Sequence, residues 1–262
     1  MPVQTLFGMV DELRNSAVVI IPAWNCDKWI GKCLDSVLEQ TYGDIGIVFV
    51  DDCSTDRTCS FAADKLKGRS NVCAVGNKTR VTALPNIERA VREMCGNENS
   101  VIFNVDGDDW LCCPTAIEEM MKLHCTYDVV WSSHHMQNGD KLGWSSSGPG
   151  REDLPIRRQS LFASHLRSFK KFLFDAIDRN DMKDENGFYQ ATCDQAIMMP
   201  MLEMVPPGKR FFYDKVLYVY NRENPCNDDK VNWVKQMLAH LRIVASKPYS
   251  ILPRYKQSTT VG

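Results

Sequence analysis

The first half of the chain alternates short β-branched runs with longer stretches of helical period, and this alternation restricts the fold more than any other feature. Runs such as Ala17–Pro22 and Ile45–Val50 have the length and apolar composition of buried strands. Between them, apolar residues recur from Trp29 to Leu38 at the spacing of one helix face. Such alternation is typical of α/β proteins. It predicts a mostly parallel, Rossmann-like sheet flanked by helices.

The same pattern continues to about residue 132 and loosens afterwards. Turn-forming residues at Asn138-Gly139 and within Ser145–Gly150 predict a long loop or a short hairpin. The remaining predicted strands are Asn71–Val75, Val101–Val105, Asp128–Ser132 and Phe211–Tyr220. The remaining predicted helices are Thr58–Leu66, Asn86–Cys95, Thr115–His124, Arg157–Asp178, one that begins near Asp194 and is interrupted at Pro200, and one from about Lys230 to Ala245.

Composition and charge exclude few functions. The formal net charge is -2, so a nucleic-acid or anionic-lipid partner would need a local basic patch. The longest early apolar run, Ala17–Ile21, is too short to span a bilayer, and the amino terminus lacks the pattern of a secretory signal. The eleven cysteines lack C-x-x-C pairs, which predicts reduced, mostly buried thiols. We therefore expect a cytoplasmic protein that is soluble or peripheral at a membrane.

Two groups of carboxylates follow two of the predicted strands. Asp51 and Asp52 come at the end of one strand, and Asp106, Asp108 and Asp109 follow another. Ligands of open α/β sheets bind beyond the carboxyl ends of the strands, so these side chains should converge on one cleft. Hard oxygen ligands suit Mg²⁺ or Mn²⁺, ions that are often shared with substrate phosphates. The arrangement predicts a site that holds a metal ion and a diphosphate together.

Several segments resemble family-2 glycosyltransferases of the GT-A fold. The Asp106–Asp109 run stands where that family carries its D-x-D motif, and Pro114 closes the following loop. The resemblance is specific over Val18–Ser132 and fainter as far as Arg222. The segments that resemble the opening of the family are Val18–Asn25, Cys33–Tyr42 and Val50–Thr58.

The resemblance implies a division of the chain and a set of donor-binding residues. It implies an N-terminal extension (1–15), a nucleotide-sugar-binding half (16–132), an acceptor-binding half with active-site loops (133–228), and a C-terminal helix and tail (229–262). The implied metal ligands are Asp108 and Asp109. The implied nucleotide-binding residues are Pro22, Trp24, Asn25, Asp52, Arg80, Asp106, Asp108 and Arg222.

Some of these implied roles have structural alternatives. Trp24, where most relatives carry Tyr, would pack on the nucleotide base, but it could also be a core aromatic beside the first strand. Arg80 would reach the nucleotide or its phosphates, or lie in a loop as an ordinary exposed cation. Arg222 would neutralise the departing diphosphate as part of a closing segment, although a surface turn explains that segment nearly as well.

The resemblance also nominates a general base. Thr192-Cys193-Asp194-Gln195 occupies the place where the family has an acidic residue opening a helix, which assigns the role to Asp194. The family's usual Glu-Asp pair lacks its first member here, because Cys193 stands in that position. The alternative role for Asp194 is that of a helix N-cap.

The resulting prediction is an inverting, metal-dependent glycosyltransferase that moves a sugar from a nucleotide diphosphate donor to an acceptor hydroxyl. The family usually takes UDP-sugars, and the acceptor could be a glycan, a lipid-linked sugar, a protein or a modified nucleobase. A nucleotidyltransferase of related fold is one alternative, although Pro22–Asn25 is not the Gly-rich phosphate loop that it would need. A catalytically silent nucleotide-sugar-binding module is the other.

One basic stretch has two interpretations. Arg151–Lys171 contains six Lys or Arg and two acidic residues, an excess of four positive charges. It could be a solvated helix face or a contact for an anionic acceptor or a phosphate.

Overall fold

A computed structural model of the chain describes residues 3–7, 12–137, 148, 150–159 and 163–256. Among these residues, nine strands form one sheet in the order β1-β4-β3-β2-β5-β8-β7-β11-β6, and two short strands, β9 and β10, pair separately. The strands are β1 Val3–Phe7, β2 Ala17–Ala23, β3 Ile45–Asp51, β4 Val72–Asn77, β5 Val101–Asn104, β6 Trp110–Leu111, β7 Val129–Met136, β8 Arg167–Lys170, β9 Lys183–Asp184, β10 Gly187–Phe188 and β11 Arg210–Tyr220.

The sheet is mostly parallel, as the sequence predicts. β2 pairs in parallel with β3 and β5, and β3 with β4. β7 and β11 also pair in parallel, whereas β8 runs antiparallel between β5 and β7. This reversal places Arg167, the first residue of β8, opposite Asn104 at the carboxyl end of β5. An arginine therefore lies at the edge of the sheet where the acidic residues gather.

Helices cover both faces of the sheet. All four helices predicted in the first half are present, with ends that differ by up to three residues from the predicted ones. No helix in the described part of the chain is long and apolar enough to cross a membrane. The helices are α1 Ile30–Leu38, α2 Thr58–Leu66, α3 Ala83–Met94, α4 Ala116–Leu123, α5 Lys171–Asp175, α6 Cys193–Met204, α7 Asp228–Val231, α8 Trp233–Ala245 and α9 Pro253–Lys256.

Burial on both faces explains the continuous apolar runs of the central strands. Every residue of β2 and β3 is buried. Val18 and Ile20 contribute to the apolar cluster that contains residues of α3 and α6. Val19 and Ile21 point to the opposite face and join the cluster with residues of α1, α2 and α4. Alternate residues of a strand thus fill two cores, which is the arrangement of strands in parallel sheets.

The prediction of a helix over Arg157–Asp178 is wrong. In its place are a 3₁₀ turn at Ile156–Arg158, strand β8 and the short helix α5, while residues 160–162 lie outside the described residues. The apolar spacing suits a helix locally, but residues 167–170 fill the gap between β5 and β7 and pair with both. Tertiary pairing overrides local propensity here.

Other predictions in the second half need smaller corrections. Pro200 lies inside α6 and does not interrupt it, and the closing helix is divided into α7 and α8. The loop or hairpin predicted after Ser133 falls largely outside the described residues, although β7 continues to Met136. All eleven cysteines are free thiols, but only Cys26, Cys33 and Cys95 are buried.

The basic stretch Arg151–Lys171 is not one continuous face. Arg157 is buried and forms a bidentate ion pair with Glu203. Its Nε lies 2.8 Å from Oε1 of Glu203, and its Nη2 lies 3.0 Å from Oε2. It also donates to the carbonyl of Ile243, at the end of α8. Arg167 is buried at the sheet edge, and Lys171 pairs with Asp175 at 2.6 Å. Several of the six cations therefore hold elements together, which contradicts the solvated helix face.

The Arg157–Glu203 pair gives a stability prediction. Arg157→Leu should lower the free energy of unfolding by about 3–5 kcal/mol, because Glu203 would keep a buried charge without its partner. The double variant Arg157→Leu/Glu203→Leu should lose less. Urea denaturation measures both variants, and a single variant as stable as the double variant would contradict a buried charge pair.

Candidate active site

A cleft of about 200 Å³ lies beyond the carboxyl ends of β2, β3 and β5. Its walls come from the loops after these strands, from the start of α6 and from the segment after β11. This is the position where open α/β sheets bind their ligands. Seven of the predicted site residues line the cleft, namely Pro22, Trp24, Asp52, Arg80, Asp106, Asp108 and Asp109.

The Asp106–Asp109 loop packs closely on the end of β2. The amide of Gly107 donates to the carbonyl of Pro22 at 3.0 Å. A Cβ at position 107 would lie 2.7 Å from the Cβ of Ala23, closer than real side chains approach. The small residue between the two aspartates therefore allows the loop to reach the cleft at this depth.

Asp109 lies at the bottom of the cleft and anchors the loop. Its two oxygens accept hydrogen bonds from the Tyr218 hydroxyl at 2.7 Å and from the Asn221 amide at 2.8 Å. Burial raises the pKa of Asp109, and the charges of Asp108 and Asp106 raise it further. The carboxyl therefore joins the loop to β11 in a crowded negative environment.

Asp106 and Asp108 face the cleft beside Asp109. Asp108 accepts a hydrogen bond from the Asn224 side chain at 2.7 Å. One oxygen each of Asp106 and Asp109 and a ring nitrogen of His165 lie within 4.8 Å of one another. Two carboxylate oxygens and an imidazole nitrogen this close together, with Asp108 in the same loop, fit a divalent cation such as Mn²⁺ or Mg²⁺, because the cation would offset the repulsion between the carboxylates.

Asp52 organises the opposite wall of the cleft. Its carboxylate accepts hydrogen bonds from the backbone amides of Val81 and Thr82, at 2.9 Å and 2.8 Å. The side chain of Asn77 donates to the same group at 2.7 Å. Only 5% of the Asp52 side chain is exposed. Asp52 thus fixes the loop that carries Arg80.

Trp24 and Arg80 form a stacked pair at the mouth of the cleft. The Arg80 guanidinium lies 3.3 Å from the centroid of the Trp24 ring, and its Nε lies 4.0 Å from Asp52. Trp24 is half-buried and lines the cleft, so it is not a core aromatic. The flat face of the indole is a surface on which a planar base can stack, as a guanidinium does here.

Asp194 lies in the first turn of α6, and its N-cap alternative is wrong because Thr192 holds that position. Its carboxylate approaches the buried guanidinium of Arg167 at 4.0 Å, and Asp106 approaches the same guanidinium at 3.7 Å. Burial raises the pKa of Asp194, while the charge of Arg167 acts in the opposite direction. A single arginine therefore connects the predicted base with the D-x-D loop.

Asp194 does not line the cleft itself, although its neighbour Cys193 does. Asn25 and Arg222 also lie outside the cleft lining, beside described residues that belong to it. The Asn25 side chain accepts from the Thr55 amide at 2.8 Å, which joins the loops after β2 and β3. Arg222 follows β11, and its carbonyl accepts a hydrogen bond from Lys230. Both residues border the loops that form the cleft.

Sequence reasoning missed four residues that build the site, namely Arg167, His165, Tyr218 and Asn224. The incorrect prediction of a helix over Arg157–Asp178 concealed Arg167 and His165, because it placed both residues on a surface element. His165 stacks on Tyr218 with 4.6 Å between ring centroids, below the D-x-D loop. The signal for Tyr218 was available, since it occupies an inward position of the predicted strand that ends beside the cleft.

The profile of the family described as "Glycosyl transferase family 2" matches residues 18–188, more than half of the chain. The chain belongs to this family. The predicted family is confirmed.

Curated glycosyltransferases and polysaccharide synthases are similar to this chain over parts of its length. "Uncharacterized glycosyltransferase EpsJ" of Bacillus subtilis (strain 168) is 34% identical over 237 residues, covering 86% of this chain and 66% of the relative. The chondroitin synthase of Escherichia coli is 27% identical over 157 residues, or 58% of this chain. This chain covers only 22% of that synthase and 13% of the glycosyltransferase GlyA of Streptococcus pneumoniae.

Solved structures share the fold. A mannosyltransferase from Pyrobaculum calidifontis, in complex with GDP-Man and Mn²⁺, superposes with a TM-score of 0.61 at 18% identity, covering 96% of this chain and 70% of that one. S. aureus TarS in complex with UDP superposes with a TM-score of 0.60 at 17% identity, covering 89% and 67%. The predicted GT-A fold is thereby confirmed.

Gly107 gives a prediction for the D-x-D loop. Gly107→Ala should lower the free energy of unfolding by about 1–3 kcal/mol, because the new Cβ would displace the loop from β2. Gly43→Ala is the matched control, since a Cβ there meets no atom within 4 Å. Urea denaturation compares them, and equal stability of the two variants would contradict the close packing.

Proposed function

We propose that the chain is an inverting glycosyltransferase that uses a nucleotide diphosphate sugar and a divalent cation. The observation that carries this proposal is the single cleft in which Trp24, Asp52 and Arg80 face the carboxylates of the D-x-D loop. The first group offers a stacking face and polar partners for a nucleoside, and the second offers ligands for a diphosphate-bound metal. We assign the donor to residues 16–132 and the acceptor to residues 133–228.

Asp108 is our choice for the principal metal ligand and Asp109 for the second, since both carboxylates belong to the D-x-D loop and line the cleft. Asp106 and His165 could also approach the ion, because their ligand atoms lie within 4.8 Å of one oxygen of Asp109. When bound, Mn²⁺ or Mg²⁺ would stabilise the negative charge of the leaving diphosphate.

Asp194 is our choice for the general base. As the acceptor oxygen forms its bond to the anomeric carbon, its proton passes to the Asp194 carboxylate. The bond from the anomeric carbon to the diphosphate oxygen breaks, and the nucleotide diphosphate leaves with the bonding electrons. Arg167 positions the base, because it contacts Asp194 and Asp106 through one buried guanidinium.

A UDP-sugar is our choice for the donor. Two structural neighbours, S. aureus TarS and the glucosyl-3-phosphoglycerate synthase of Mycobacterium tuberculosis, are described in complexes with UDP. A third is described with GDP-Man. The site of this chain stays compatible with either base, since Trp24 supplies a stacking surface that any base can use.

Two substitutions should separate donor binding from chemistry. Asp108→Asn should abolish metal-dependent binding of the donor, because the principal ligand is lost. Asp194→Asn should keep donor binding but lower turnover by roughly 10²–10⁴-fold, because the proton acceptor is lost. Calorimetric titration of UDP-sugar with Mn²⁺ and measurement of UDP release give the two readouts. Wild-type turnover in Asp194→Asn would contradict its role as the base.

The pH dependence should report the state of Asp194. The base must be ionised to accept a proton, so turnover should fall as the pH drops through the raised pKa of Asp194, above the ordinary value of 3.8. We call this fall in turnover at low pH the acidic limb of the pH profile. Arg167→Met should move the acidic limb to higher pH, because the cation that favours the ionised Asp194 carboxylate is removed. Profiles of UDP release against pH measure the shift.

Two controls accompany that measurement. Arg167→Lys keeps the charge and should shift the limb less than Arg167→Met. Arg158→Met removes an exposed cation from the same stretch and should leave the limb in place. An acidic limb that is unmoved in Arg167→Met would contradict the positioning role of Arg167.

A further inference from the structure

The exposed apolar side chains of the protein are concentrated in one region. All seven large apolar side chains that the described part of the chain exposes lie between residues 231 and 251. Five of them belong to α8, where they are 45% to 61% exposed. Soluble surfaces normally scatter such side chains, and a contiguous group marks an interaction surface. These five residues, which we call the α8 outer face, are Trp233, Val234, Met237, Leu238 and Leu241.

Helix geometry explains how α8 presents this face. The helix packs on the protein through Ala239 and Ile243, which are 6% and 3% exposed. At 100° per residue, the centre of the outer face points almost directly away from these two residues. The helix therefore has two apolar faces, one in the core and one toward the surroundings.

The sequence around the outer face is net basic. Residues 228–256 contain six Lys or Arg and two acidic residues, Asp228 and Asp229, although the whole chain has 31 basic and 33 acidic residues. Arg242 is paired with Asp184 and Glu185 on the neighbouring β9 region. Lys230, Lys235 and Lys247 are exposed. A basic, apolar helix with a tryptophan at one end has the composition of helices that lie in a membrane interface.

We propose that the α8 outer face docks on an anionic lipid bilayer. Its apolar side chains enter the boundary between headgroups and acyl chains, and the surrounding lysines contact the anionic headgroups. A second copy of this chain fits less well, because a two-fold interface would bring the same lysines of both copies together. This docking does not depend on the transferase activity.

Docking through α8 would hold the cleft beside the membrane. Lys235 donates to the side chain of Gln190, which lines the cleft, at 2.6 Å. His240 hydrogen-bonds to Gln195, next to Asp194, at 2.7 Å. The outer face is thus carried by a helix that contacts the start of α6 directly.

Flotation of the full chain with lipid vesicles tests this proposal without donor or acceptor. The wild type should bind vesicles of phosphatidylcholine with phosphatidylglycerol, bind pure phosphatidylcholine weakly, and be released by salt. Met237→Gln/Leu241→Gln should lower the partition coefficient by about tenfold or more. Lys247→Gln/Lys256→Gln, which removes two exposed cations, should weaken binding to the anionic vesicles only. The matched control, Arg14→Gln/Lys67→Gln, removes two exposed cations elsewhere and should bind as the wild type does.

Unchanged melting temperatures should show that the substitutions at these exposed positions leave the fold intact. Failure of the wild type to bind anionic vesicles would overturn the proposal, as would equal binding by Met237→Gln/Leu241→Gln. A dimer in sedimentation experiments that becomes a monomer in this variant, without vesicle binding, would instead assign the face to a second copy. Asp194→Asn should lose transferase activity and still bind vesicles. That result would separate this inference from the proposed function.

Discussion

The crowding of carboxylates at one edge of the sheet is the constraint on which the rest of the site depends. Asp106, Asp108 and Asp109 follow β5, and Asp194 approaches from α6. Burial raises the pKa of Asp109, and the charges of Asp108 and Asp106 raise it further. Arg167 offsets part of this repulsion from within the sheet, because the antiparallel direction of β8 brings its first residue to the carboxyl end of β5. Hydrogen bonds from Tyr218 and Asn221 satisfy the deepest carboxylate. A divalent cation completes this balance in the proposed donor complex.

The same arrangement explains why the two walls of the cleft have different chemistry. The wall after β3 is fixed by Asp52, whose carboxylate is engaged by backbone amides, and it ends in the stacked Trp24 and Arg80. The wall after β5 carries acidic side chains. Their loop packs close to β2 because Gly107 has no side chain that would collide with Ala23. A flat aromatic surface opposite hard oxygen ligands matches a nucleoside joined to a diphosphate. The start of α6 then supplies Asp194, the proposed base, whose carboxylate approaches Arg167.

The sequence predicted the first half of the fold well because local pattern and tertiary environment agree there. Strands buried on both faces give continuous apolar runs, and their helices give regular spacing, so β2, β3 and the acidic loops could be located. The second half was harder, because β8 is a four-residue strand whose identity depends on its neighbours, β5 and β7. Its misassignment to a helix concealed Arg167, which no local motif marks. Asp194 was found only through the family resemblance, and its contact with Arg167 depends on long-range pairing.

In the proposed function, this cleft binds a nucleotide diphosphate sugar together with a divalent cation. Thermal unfolding of the full chain with a panel of nucleotide sugars, each with and without Mn²⁺, tests it most directly, since a ligand that binds the folded state raises the melting temperature. At least one UDP-sugar should raise the melting temperature in the presence of Mn²⁺ and should raise it much less in the absence of the metal. A melting temperature that no nucleotide sugar changes, with or without the metal, would contradict it.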